Sequence, residues 1–159
     1  MEQVQAGLHR RLAPPAHQGD EDSSRRSGAE AARDARAALG VLIVEDDFLI
    51  GMQAESALID SGFSVIGIAS TAEEAVVLAR RHRPALAVMD VRLSGSRDGI
   101  EAAGELFREL GVRCIFATAH DDQLTRSRAE PFAPLGWLAK PYTMMSLVAL
   151  VREAIAGSK

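Results

Sequence analysis

Three consecutive acids, Glu45, Asp46 and Asp47, interrupt the apolar stretch VLIVEDDFLI at residues 41–50. Val41, Leu42, Ile43 and Val44 have the unbroken apolar character of a buried strand, so the acids stand where a core strand ends. Adjacent carboxylates repel, and burying them without partners is costly. Either they face water as the start of a helix, or they hold a cation among them. A fourth acid, Asp90, closes the run ALAVMD. A hydroxyl, Thr118, closes CIFAT, and Lys140, followed by Pro141, closes WLAK. Each of these alone is ordinary. An acid before a helix is a favourable neighbour of the helix dipole, a Thr at a strand end is a cap, and a Lys before Pro is solvated. The signal is their joint occurrence at the ends of apolar runs.

Those runs alternate with helix-like segments from Leu39 onward. Strands are predicted at 41–45, 64–69, 85–89, 112–117 and 135–139. Helices are predicted for Asp47 to Ser61, Thr71 to His82, Gly99 to Leu110, Asp121 to Glu130 and Thr143 to Ala156. STAEEA provides a cap for the second helix at Ser70 or Thr71, with Glu73 or Glu74 able to reach back. Gly62 and Gly111 suit helix C-termini. Five strands alternating with five helices imply right-handed crossovers and a parallel sheet covered on both faces, an α/β doubly wound fold. In such sheets ligands bind beyond the carboxyl ends of the strands. Glu45, Asp46, Asp90, Thr118 and Lys140 fall at that edge, on strands one, three, four and five. The second strand ends in Ala69 and Ser70 and contributes nothing notable.

The motifs VLIVEDD, AVMDVRL…DGIEAA, IFATAH and WLAKPY resemble the receiver domain of two-component response regulators, over roughly residues 40 to 157. The resemblance implies a flavodoxin-like (βα)5 fold with strand order 2-1-3-4-5, the order for which the chemotaxis receiver is a standard example. It implies that Asp90 accepts a phosphoryl group from a sensor histidine kinase or a histidine phosphotransfer protein. It implies Mg2+ held by Asp46 and Asp90 directly, by Glu45 through water and by the backbone carbonyl of Arg92. Mg2+ keeps several waters and takes few carboxylates, which suits this set. Lys140 and Thr118 would then contact the phosphoryl oxygens, and small Ala119 would leave room for them. Trp137, three residues before Lys140, falls where many receivers carry an aromatic that turns inward on activation. Asp47 matches a variable position and is expected to be the N-cap or to lie in the first turn of the first helix.

Several residues depart from the family pattern. Ser94 stands four residues past Asp90, where receivers commonly carry Pro, and the loop DVRLSGSRDG is one residue longer than the commonest form. Arg92 and His120 occupy positions that tune the lifetime of the phosphoryl group in the family, and His120 itself is expected to be a partly exposed loop residue. Pro131 and Pro134 in RAEPFAPLGW are expected to end the fourth helix early.

The remaining composition bounds the function. Net charge is −4, so the overall field does not favour nucleic acid or anionic membrane. No apolar run approaches the ~20 residues that span a bilayer, and HRRL near the N-terminus is followed by polar residues in place of an export signal's apolar stretch. A cytoplasmic protein is the expectation. The single Cys114 lies in an apolar run and reads as a packed core thiol. Residues 1–38 balance six Arg against six acids and hold few large apolar side chains. They read as a disordered tail with a possible helical piece over Ala29 to Leu39, a docking arm being the functional alternative, and residues 39–159 as the receiver domain. No effector domain is expected after the last helix, so the output is expected to be a protein contact or onward phosphoryl transfer, with the downstream protein unspecified. Two other classes compete with this reading. A Mg2+-dependent phosphohydrolase with an Asp nucleophile would need a second acid two residues after Asp90, where Arg92 stands. A pseudo-receiver that only binds partners would be expected to lack one of Asp46, Asp90 or Lys140.

Overall fold

The computed structural model describes residues 27–31 and 39–157. Residues 27–31 belong to a unit distinct from the one spanning Arg33–Lys159, and they form one exposed helical turn. That turn overlaps the start of the helical piece expected over Ala29 to Leu39. The remainder of the expected tail lies outside the described residues.

The larger unit alternates strand and helix throughout: β1 (Gly40–Val44), α1 (Phe48–Asp60), β2 (Ser64–Ala69), α2 (Ala72–His82), β3 (Leu86–Asp90), α3 (Gly99–Leu110), β4 (Arg113–Thr118), α4 (Gln123–Ala129), a 3-10 turn (Glu130–Phe132), β5 (Gly136–Ala139) and α5 (Met144–Gly157). The strands form one parallel sheet in the order β2-β1-β3-β4-β5. Successive strand side chains point to opposite faces, and both faces are covered. Leu42, Val44, Met89 and Phe116 pack with Ala75, Val76 and Ala79 of α2 and with Ile100 and Leu106 of α3. Val41, Ile43, Val88 and Ile115 pack on the other side with Ala54 and Leu58 of α1 and with Leu147 and Val151 of α5. This division explains why β1 and β3 are buried at every position. Truncating a fully buried residue such as Leu58 or Leu147 to Ala costs about 2–5 kcal/mol.

The helix ends follow their local chemistry. Thr71 caps α2 by accepting from the Glu74 N–H at 3.2 Å, while the Glu74 carboxylate accepts from the Ser70 N–H at 2.9 Å. Asp98 and Glu101 form a reciprocal capping box at the start of α3. Gly62 and Gly111 take positive φ after α1 and α3, as their placement in the sequence suggested. Helix α4 is only seven residues long and gives way to the 3-10 turn that holds Pro131. It is shorter than the stretch Asp121 to Glu130 read from the sequence, because Asp121 and Asp122 precede it and Asp122 serves as its cap.

Candidate functional site at the carboxyl edge of the sheet

Each chemical residue is placed by the end of a strand. Asp90 is the last residue of β3 and is buried. Glu45 lies one residue past β1, where its N–H continues the ladder by donating to the Ala69 carbonyl at 2.9 Å. Thr118 ends β4, and the Lys140 N–H donates to its carbonyl at 2.9 Å, which fixes the lysine beside β4. The peptide between Lys140 and Pro141 is cis. Together Glu45, Asp46, Asp90, Arg92, Thr118 and Lys140 line an open cleft of about 290 Å3, along with Asp47, Ile50 and Ala119. Trp137 does not line it.

The side chains in this cleft are oriented by specific bonds. The Arg92 N–H donates to Asp90 Oδ1 at 3.1 Å. Lys140 Nζ donates to Asp90 Oδ2 at 2.8 Å and to Glu45 Oε2 at 3.0 Å. The other oxygen of Glu45 accepts from the Asp47 N–H at 3.0 Å. Asp46 is exposed, and its Oδ2 accepts from the Ser94 hydroxyl at 3.0 Å. Asp47 turns away to cap α1, accepting from the N–H groups of Leu49 and Ile50. Thr118 Oγ1 accepts from the His120 N–H at 3.1 Å and donates to the His120 carbonyl at 3.2 Å, so its hydroxyl is engaged with its own loop.

Electrostatics follow from this packing. Burial pushes the Glu45 carboxyl up to about 7, against the lowering pull of the Asp47 N–H and Lys140. Burial alone would lower Lys140, but its bonds to Asp90 and Glu45 outweigh that and raise it, so the ammonium is held charged. Cys114 is far from this chemistry: it is fully buried in β4, and burial pushes its thiol up to about 12.

The donor set suits a small hard cation. One carboxylate oxygen each from Glu45, Asp46 and Asp90 lies within 4.8 Å of the others. Two oxygens bound to one Mg2+ at ~2.1 Å are at most ~4.2 Å apart, so small adjustments would bring them to one ion. Asp46 opens to water, as a cation that keeps several waters requires.

Three features escaped the sequence reading. In the sequence Gly99 marks only the start of α3. A Cβ there would overlap the Asp90 carbonyl oxygen and stand 3.0 Å from Met89 Cγ. The glycine therefore lets α3 start directly against the end of β3, and the Asp-Gly pair at 98–99 was its visible signal. In the sequence Ser94 marks only the absence of the family's proline, whereas in the structure its hydroxyl meets Asp46. Trp137 stacks on Phe116 at 4.9 Å between ring centroids, and the Arg126 guanidinium lies 4.9 Å from its ring centroid. Arg126 in turn forks onto Asp121 at 2.5 and 2.7 Å.

The family model described as the response regulator receiver domain matches residues 41–152. The transcriptional regulatory protein PdtaR of Mycobacterium tuberculosis is 34% identical over 116 residues, 73% of this chain and 56% of that protein. The phyllosphere-induced regulator PhyR of Methylorubrum extorquens is 35% identical over 131 residues, 81% of this chain and 47% of that protein. The chain thus spans about half the length of these relatives. Among solved structures, the signal receiver domain of a modulated diguanylate cyclase from Desulfovibrio desulfuricans superposes with a TM-score of 0.68 at 37% identity, covering 74% of this chain and 94% of that one.

Proposed function

The chain belongs to the response regulator receiver family, and from that membership we propose that it accepts a phosphoryl group on Asp90 from a phosphohistidine of a sensor kinase or phosphotransfer protein, and signals through contacts that depend on phosphorylation. The observation that carries this reading is the Asp90 carboxylate, held at both oxygens by the Arg92 N–H and Lys140 and opening onto a cleft it shares with Glu45 and Asp46.

Phosphoryl transfer asks mainly for positioning and charge neutralisation. An oxygen of Asp90 forms a new bond to phosphorus as the bond from phosphorus to the partner's imidazole nitrogen breaks, and the imidazole leaves as the neutral base or takes up a proton from water. Asp46, Asp90 and the Arg92 carbonyl would hold Mg2+, with Glu45 acting through water, and the ion when bound would neutralise the phosphoryl oxygens and the clustered carboxylates. Lys140 already touches Asp90 and needs to move little to meet a phosphoryl oxygen. The Thr118 hydroxyl would leave the His120 carbonyl to donate to the phosphoryl group, and exposed Ala119 leaves the approach open. Ile50, Ala119 and Lys140 also line a larger, mainly apolar cleft of about 440 Å3 beside the acidic one. A phosphodonor protein would rest on that rim. A hydrolase reading has less support, because exposed Arg92 occupies the place where that mechanism needs a second acid. No described helix is long and apolar enough to cross a membrane, and a cytoplasmic location fits a partner that phosphorylates on that side.

Incubation with Mg2+ and acetyl phosphate, followed by intact-mass measurement, tests the acceptor. We expect one added phosphoryl group on the wild type and none on Asp90→Asn. An equal gain in both would overturn the assignment.

A further inference from the structure

We propose that Ser94 is a positioning residue for Asp46, setting that carboxylate for the cation and tying the loop after β3 to the acidic turn after β1. The inference rests on the reading of the cleft as a Mg2+ site.

The three clustered carboxylates are not held alike. Glu45 and Asp90 are buried, and each is gripped by Lys140 and by a backbone N–H. Asp46 is exposed, and among the described residues the Ser94 hydroxyl is its one hydrogen-bond partner. An exposed Asp without that bond would rotate freely and lose this freedom on binding an ion. The Ser94 hydroxyl takes Oδ2 at 3.0 Å and leaves Oδ1 for a cation. Groups that orient metal ligands in this way tune affinity without touching the ion.

The same bond spans 48 positions of sequence and, among the described residues, is the side-chain hydrogen bond that joins the turn after β1 to the segment between β3 and α3. That segment is already pinned at its ends. The Arg92 N–H is bonded to Asp90, and the Gly99 N–H donates to the Val91 carbonyl at 2.8 Å. Gly95, at φ 101, turns the chain directly after Ser94. The serine therefore sits at a defined place on a loop fixed at both feet, which lets it act on Asp46 as more than a passing contact.

Titration calorimetry with MgCl2 on the full chain tests this, using wild type, Ser94→Ala, Ser94→Thr and Asp46→Asn, with thermal midpoints recorded in EDTA. Ser94→Ala should bind Mg2+ about 5- to 10-fold more weakly, at or below the lower end of the ~10–100-fold effect of orienting partners, because this bond is exposed. Ser94→Thr keeps the hydroxyl and should stay within about twofold of wild type, and the midpoints in EDTA should match. Equal or tighter Mg2+ binding by Ser94→Ala would overturn the proposal, since the hydroxyl would then be idle or competing with the ion. Weaker binding accompanied by a lower midpoint in EDTA and not rescued by Thr would assign Ser94 to folding instead, and overturn it too. A wild type that binds no Mg2+, or an Asp46→Asn variant that binds as well as wild type, would overturn the metal-site reading itself and the inference with it.

Discussion

At the scale of single residues, the site depends on groups that never touch a ligand. Gly99 is the clearest case. Helix α3 starts so close to the end of β3 that any Cβ at this position meets the Asp90 carbonyl oxygen, a backbone atom that cannot swing aside. Relief requires the first turn of α3 or the last residue of β3 to shift, and either movement displaces Asp90. Gly99→Ala should therefore destabilise the domain by about 1–3 kcal/mol, the range for overpacking a tight interior. Urea unfolding measures the first effect. Phosphorylation by acetyl phosphate, assayed where the variant is still fully folded, should be slowed as well. A variant as stable as wild type and phosphorylated at the same rate would show that the backbone yields there without cost.

At the scale of elements, the strands and most helix ends were readable because their causes are local. Apolar β-branched runs, capping residues and glycines at helix ends lie next to the structure they specify, so strand limits from sequence and structure agree to within about a residue. Asp47 as a cap and Cys114 as a packed thiol were legible for the same reason. Contacts between distant elements were not. Nothing in the sequence pairs Ser94 with Asp46, or places Arg126 over Trp137 with Asp121 behind it. Those choices are made only once the sheet has brought the loops together. The short α4 carries this arrangement, and it bears on the role expected of Trp137. Phe116 and Trp137 are paired in register across β4 and β5, and Thr118 follows Phe116 on the same face of β4. If the Thr118 hydroxyl leaves His120 for a phosphoryl group, the loop that carries Asp121 is released and space opens beside β5, so the half-buried indole can move inward. Trp137 is the only Trp, so its emission reports this directly. We expect a blue shift with a beryllium fluoride complex and Mg2+, and its loss in Thr118→Ala. An unchanged spectrum under full occupancy would leave Trp137 as packing between Phe116 and Arg126.

At the scale of the whole molecule, one sheet carries a core on each face, and the described members of both cores fall within residues 39–157. Every strand has its neighbours there, and the buried side chains of β1, β3 and β4 find partners on α1, α2, α3 and α5. The N-terminal segment has little to add to such a core. Before Leu39 its large apolar side chains are essentially Val4, Leu8 and Leu12, and its six Arg and six acids cancel in charge, so neither burial nor long-range attraction favours docking. Removing residues 1–37 should therefore leave both the thermal midpoint and the Mg2+ affinity of the domain nearly unchanged. The midpoints are compared by calorimetry on the full and shortened chains at equal concentration, and the affinities by titration of each with MgCl2. A contact contributing about 1 kcal/mol would move the midpoint by roughly 2–8 °C in a domain of this size, well above the error of the measurement. A fall of that size on truncation would show that the segment packs on the domain. A fall in Mg2+ affinity with no change in midpoint would instead place it over the acidic edge, where it would act on the site and not on the fold.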